Sequence, residues 1–369
     1  MDMTPKQGQV EVTFNWVYVL IAGAVILLFF IGLVVRQKAV SEEQLSIEVV
    51  RIMESIFTGA GVSEKTKNFI DISGLAEYTL YFGCSNEVGE YGILGTSARA
   101  ENAIDPFFAP KEIKASQLIV WSLPYRLPFK VIDFLFITSS NTQYIVLGEV
   151  PFATEFVNST QGFNVQHLVS RQEYEQIDPG HNFQVRIIDT VGTTLTAGSG
   201  VPLLLQSLGN ERVTGVSFGQ GAVTYYSKNN ENKWEQQGAA VPMVSLDEER
   251  DAAKYAAIFV ADADMYRCNL KKAFRRLELI NEVYGGKENE PGGKIQQLLN
   301  YYGGHPESLC KNPLVERQDN LVTALASHQR NAAACRLDAS TCTNLIASAR
   351  ALRTANKALA ELGDCITLY

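Results

Sequence analysis

Apolar and polar positions follow different rhythms in successive parts of this chain. Trp16 to Val35 is a run of twenty residues without a charge, fourteen of them Leu, Ile, Val or Phe. At about 1.5 Å per residue a helix of that length spans roughly 30 Å, the thickness of a bilayer core. Its Leu, Ile, Val and Phe side chains contribute about −4 to −8 kcal/mol toward insertion. The run ends on Arg36 and Lys38, which reads as a stop-transfer flank. A cleaved signal has a shorter apolar region followed by a small-x-small cleavage site. Residues 1–38 are therefore expected to hold an uncleaved transmembrane helix at about 16–35, with membrane lipid as its partner. Next, Leu45, Val49, Ile52 and Ile56 recur at helical steps before Gly59 and Gly61. This predicts an amphipathic helix over 39–62, either a stalk continuing the span or a helix packed on the body.

From Tyr78 to about Val150 the rhythm is that of strands. Tyr78–Phe82, Gln117–Trp121, Phe129–Ile137 and Tyr144–Leu147 are rich in β-branched and aromatic residues and are separated by Gly, Pro, Asn and Ser. A second block from about residue 180 adds Phe183–Ile188 and a hairpin of Val213–Phe218 with Ala222–Tyr226 around Gly219-Gln220-Gly221. Val201–Leu208 suggests a short helix and Ala256–Val260 a further strand. Many strands with few intervening helices point to an α+β ectodomain over 63–263 more than to a doubly wound sheet.

Beyond about Asp264 the period becomes helical. Leu270, Phe274, Leu277 and Tyr284 share a face while Lys271, Lys272, Arg275 and Arg276 face away, and Gly285-Gly286 stops the helix. A second helix is expected from about Leu314 to Ala334. A third runs from near Thr341 to Gly363 and carries Leu345, Ala349, Leu352 and Leu359. The fold class is thus α+β: an N-terminal transmembrane helix and stalk, a mixed β-rich body, and a disulfide-tied helical region over 264–369.

That last description rests on the cysteines. Of six, five lie between 268 and 365. Cys342 and Cys365 flank the third helix, roughly 34 Å apart, whereas a disulfide needs Cα atoms within about 7 Å. If the second and third helices form an antiparallel hairpin, Cys335 meets Cys342 at the turn and Cys310 meets Cys365 at the open end. Cys84 is then left with Cys268. Loop closure gives upper figures of roughly 2–3, 4 and 5 kcal/mol for Cys335–Cys342, Cys310–Cys365 and Cys84–Cys268. A metal site of His305, Cys310, Cys335 and Cys342 is the rival, but its spacing matches no common zinc module; reduced buried thiols are the other.

Composition narrows the partners. The chain has 369 residues, 46% hydrophobic and 20% charged, with a net charge of −8. Residues 39–269 alone carry 16 basic against 28 acidic side chains, a net of −12. A groove for a polyanion needs the opposite sign, so nucleic-acid binding is not expected. Lys6 before the span and Arg36 and Lys38 after it give the positive-inside rule one residue of excess toward a cytoplasmic C-terminal part. The even cysteine count and the sequon Asn158-Ser159-Thr160, with Asn158 as glycosylation acceptor, point to an extracytoplasmic one.

Lys6-Gln7-Gly8-Gln9-Val10-Glu11-Val12-Thr13-Phe14, set directly before the apolar helix, resembles the class III leader junction of archaeal type IV pilins and archaellins. The resemblance implies cutting behind Gly8, Gln9 as the new N-terminus, and Glu11 as the acidic residue of the mature end. The family carries that Glu at the fifth position, here Thr13. The match covers about the first 35 residues. The whole is also similar to archaeal single-pass membrane-anchored surface proteins ending in a Cys-x-x-Leu-Tyr-like tail, here Cys365 to Tyr369.

Chemistry is sparse. Gly215-Val216-Ser217-Phe218-Gly219 matches a hydrolase nucleophile elbow, which needs a strand before it and a helix after it; the following residues read as strand, so structural glycines around a hairpin are expected and Ser217 is the alternative catalytic candidate. His328 falls at helical steps from Leu321 and Leu325 and reads as a packed histidine. Ser308-Leu309-Cys310-Lys311 lacks companion motifs, and Asp262 and Asp264 read as helix caps. No dinucleotide-binding or Walker pattern is present, and no cofactor or metal is expected. The expected role is that of a cell-surface structural or interaction protein, in its sharper version a pilin-like filament component, with protein partners or self-assembly. A tethered hydrolase using Ser217 and a ligand-binding subunit of an envelope complex are the alternatives.

Overall fold

The computed structural model describes residues 66–96, 99–246, 249–287, 290–305 and 308–369, together with 21, 28, 47–51, 53–55 and 59. The expected span at 16–35 lies outside these residues except for Ile21 and Leu28, both helical and exposed. Gly8, Gln9 and Glu11 also lie outside them. Among the described residues no helix is long and apolar enough to cross a membrane. In the amphipathic segment the helical residues 47–51 and 53–55 (α1) place Val49 and Met53 inside the main core. This part of the helix is packed against the body.

The body is α+β and built on several sheets. The first joins β1 (Lys67–Asp71), β7 (Gln117–Arg126), β8 (Lys130–Ser139) and β5 (Phe107–Phe108). The second is an antiparallel sheet of β4 (Arg99–Asn102), β3 (Val88–Ile93), β2 (Leu80–Ser85) and β6 (Glu112–Ile113). The third has β9 (Thr142–Leu147), β10 (Asn164–Leu168), β11 (Gln184–Asp189) and β12 (Val213–Gly219) as parallel neighbours in the order β10-β9-β11-β12. It continues antiparallel through β13 (Ala222–Lys228) to β14 (Trp234–Gln236), with β15 (Val241–Pro242) also paired to β13. Within the α+β body, then, lies a parallel block whose strand order reverses at β9 and β11.

That block is covered on both faces, so its strands are apolar on both. Tyr144, Val146, Ile188, Val216 and Tyr225 point into the principal core, while Ile145, Ile187, Val213 and Tyr226 point into a smaller one. On the principal side lie α2 (Pro151–Ser159) and α4 (Ala252–Phe259); on the other lies α3 (Arg171–Glu175), capped by the reciprocal Ser170 and Glu173 pair. Residues 256–260, expected as a strand, are the end of α4 and its cap. Seven of the eight residues of α4 are buried. A helix surrounded by core shows no polar stripe, and its short apolar run is indistinguishable from a buried strand.

Four helices follow: α5 (Ala263–Gly285), α6 (Gly293–Gly303), α7 (Leu321–Ala334) and α8 (Ala339–Ala360), with a two-residue ribbon of β16 (Gly286–Lys287) and β17 (Glu290–Pro291) after α5. Asp262 caps α5 by accepting the Met265 N–H, and Gly286 ends it at φ 79°. α7 starts seven residues later than the pattern predicted, after a π-helical turn at Asn312–Glu316, and its cap is Asn320. On α8, Leu345, Ala349, Leu352 and Leu359 are fully buried. Lys272 corrects the expected polar face of α5: it is buried, and its ammonium donates to the Asn102 and Asp105 carbonyls while lying over the Phe107 ring. A long stem allows a lysine on an apolar face to reach a loop edge. The principal core draws on residues on both sides of the 263/264 boundary, so the sheets and the C-terminal helices share it.

Candidate functional site

Strand order reverses between β9 and β11. Open parallel sheets bind ligands outside the carboxyl ends of their strands at such a point. A crevice of about 320 Å³ does lie there, at the ends of β9, β10 and β11, lined by Gly148, Val169, Ser170, Asp189, Thr193 and Thr194 among others. Its carboxylate is already spoken for. Asp189, fully buried, accepts the Val191 and Gly192 N–H groups on Oδ1 and those of Thr194 and Leu195 on Oδ2. With four backbone N–H groups donating to its one carboxylate, Asp189 shapes the loop after β11.

Ser217 stands beside it, directly opposite Asp189 in the β11–β12 register, with its Oγ 3.4 Å from Asp189 Oδ2. The surrounding architecture is a hairpin: β12 turns at Gln220 and Gly221 into the antiparallel β13, with no helix after it. A nucleophile elbow holds its serine on a strained strand-to-helix turn, which this is not. His167, on the edge strand β10, bonds the Gly148 carbonyl at 2.7 Å. The polar groups at the carboxyl ends are thus engaged mainly with backbone, and no histidine is bonded to Ser217 among the described residues.

The amino ends of the same strands are different. A larger cavity, about 680 Å³, opens there between the sheet and the end of α4. Its wall includes Arg186, a charged side chain with 5% exposure in the middle of an apolar strand. The guanidinium donates to the Ala257, Ile258 and Val260 carbonyls, acceptors left over at the C-terminus and cap of α4, and to the Ala261 carbonyl just beyond. A cation at that end also complements the helix dipole. Its charge lies 5.5 Å from the centre of the Tyr225 ring, and burial pulls its pKa down. At the rim Lys111 Nζ lies 2.9 Å from Asp262 Oδ2, which holds the ammonium pKa up. Burial opposes ionisation of Asp262, but the Met265 N–H and Lys111 outweigh it and keep the carboxyl below its usual range. Arg212 stacks over the Phe183 ring at 4.2 Å.

The residues singled out in the sequence fall elsewhere. Three disulfides join Cys84 to Cys268, Cys310 to Cys365 and Cys335 to Cys342, the same pairs that the hairpin geometry of the last two helices selects. Sulfurs of Cys310, Cys335 and Cys342 are therefore bound in two separate bridges, and among the described residues no group of three or more His, Cys, Asp or Glu is placed to hold a metal ion. Asn158 is exposed on α2, while Thr160 of the same sequon is buried and donates to the Phe156 carbonyl. Arg186 and Asp189 were missed. The one available signal was a charge at each of two positions of a strand whose other residues are Gln184, Val185, Ile187 and Ile188. Comparison of the chain with protein-family models, with curated proteins and with solved structures finds no match.

Proposed function

We propose that this chain is a membrane-anchored, extracytoplasmic structural or interaction protein of the cell surface. The observation that carries the reading is the cysteine economy: all six are in disulfides, one of them spanning 184 residues and stapling β2 to α5. Disulfides persist in oxidising compartments and are rare where thiols are kept reduced. The apolar run at 16–35 supplies the anchor. The use of Asp189 and His167 to hold backbone groups, with Ser217 bonded to Asp189 and not to a histidine, favours a scaffold over a reaction centre.

Non-reducing peptide mapping of protein taken directly from cells tests this. The expected result is the three cystine-linked peptide pairs; six free thiols would remove the proposal. Intact-mass analysis of the N-terminus tests the sharper pilin-like version, which expects a mature chain beginning at Gln9 and is excluded by retention of Met1–Gly8. A serine-reactive phosphonate is expected to leave the protein unlabelled. Labelling that disappears in Ser217→Ala would instead establish the hydrolase reading. The 680 Å³ cavity favours a second reading, that of a ligand-binding subunit.

A further inference from the structure

We propose that the cavity at the amino ends of β9, β11 and β12 binds a neutral, hydroxyl-rich ligand of the saccharide class. Its size falls in the range of roughly 300–1,000 Å³ that suits small ligands. Charge decides what kind. Lys111, Arg186 and Arg212 line it against Glu112, Glu211 and Asp262, three of each sign. Lys111 is paired with Asp262, and Arg186 is held by four carbonyls. A phosphate-bearing ligand requires an excess of cations that this wall does not offer. A hydrocarbon chain would leave polar wall groups without partners, and Gln184, Asn210, Thr214 and Gln237 stand in this wall among its apolar residues.

Adjacent hydroxyls suit such a wall. Planar amides, carboxylates and guanidinium groups each engage two neighbouring O–H groups at once, and the C–H face of a pyranose packs on an aromatic ring. Phe183, Tyr144 and Tyr226 supply rings to the same cavity. Arg186 adds a specific donor. Four of its five N–H groups are used on the α4 carbonyls, leaving one on Nη1 without an acceptor among the described residues. A buried donor left unpaired is costly, and a ligand hydroxyl at the cavity wall satisfies it. The cavity lies wholly within the body, so this inference stands whether or not residues 16–35 cross a membrane.

The test is calorimetric titration of the full chain in lipid nanodiscs, which avoids sugar-headed detergents. Maltotriose, chitotriose and mannotriose are the probes; ATP and trialanine are the anionic and peptidic controls. The expected result is saturable binding of at least one trisaccharide and of neither control. Arg212→Ala, an exposed residue outside the core, is expected to weaken it about tenfold. Thr214→Phe, which fills the floor beside Arg186, is expected to abolish it; a thermal melt matching that of the parent shows that the variant is folded. The proposal is overturned by binding of ATP or trialanine in place of sugar, by no binding of any trisaccharide, or by sugar binding that both folded variants leave unchanged.

Discussion

Three buried side chains show what a single residue does here. His328 sits on α7 with no exposure, its ring edge-on to Phe129, and burial pushes its pKa down to about 4, with the Leu127 backbone opposing. An unfolded chain takes up this proton near 6.5. Stability from this group is therefore complete above pH 6.5 and is lost as pH falls toward 4, a difference of about 3 kcal/mol. Denaturant melts across that window should show the loss, and His328→Leu should flatten it. Lys272 acts on the alkaline side. Burial pushes it down to about 8, so between pH 8 and 10.5 the unfolded state binds the extra proton and stability rises; Lys272→Met should remove that rise from the same melts. Arg186 carries the largest single effect. Arg186→Met strands four carbonyls at the end of α4 and is expected to cost at least about 3 kcal/mol in denaturant midpoint analysis. Arg186→Lys should recover little, since an ammonium cannot reproduce the planar fork. The histidine was legible from its spacing on an amphipathic helix. The lysine and arginine were not, because a local pattern registers a charge without saying which distant carbonyls will receive it.

Elements follow the same division. α5, α7 and α8 announce themselves through an apolar stripe and a capping residue, Asp262, Asn320 and Asp338 respectively, each accepting a backbone N–H in the first turn. α4 has a cap in Asp251 but no stripe, since core surrounds it, and so it passed for a strand. β9 exposes the other limit. Tyr144–Leu147 is plainly a strand, yet it follows β8 in sequence and pairs with β10 and β11 in another sheet. Partner choice depends on tertiary packing, and the short α3 hides the crossover that marks a parallel block. The loop after β11 gives a prediction at this scale. Gly192 has φ +79°, and a Cβ there would lie 2.5 Å from the Phe218 carbonyl oxygen. Gly192→Ala is expected to cost about 1–3 kcal/mol by chemical denaturation. Gly219→Ala, with open space around it, should be nearly neutral.

Across the whole molecule, the sheets and the C-terminal helices share one core, and the bridges tie its parts together at separations of 184, 55 and 7 residues. Entropy of loop closure orders their worth in that sequence. Paired Cys→Ala replacements, followed by thermal melts, should therefore destabilise most for Cys84 with Cys268, less for Cys310 with Cys365, and least for Cys335 with Cys342. The covalent map also settles how the molecule bears tension. A force applied at the two chain ends passes from the segment before Cys84 straight across sulfur to Cys268, and later from Cys310 to Cys365. The parallel strands and both cavities lie in the covalent loop between Cys84 and Cys268, off the backbone path that carries the load. In a single-molecule stretching experiment, reducing the first bridge should release roughly 600 Å of hidden contour, a length that stays locked for as long as the bridge is intact.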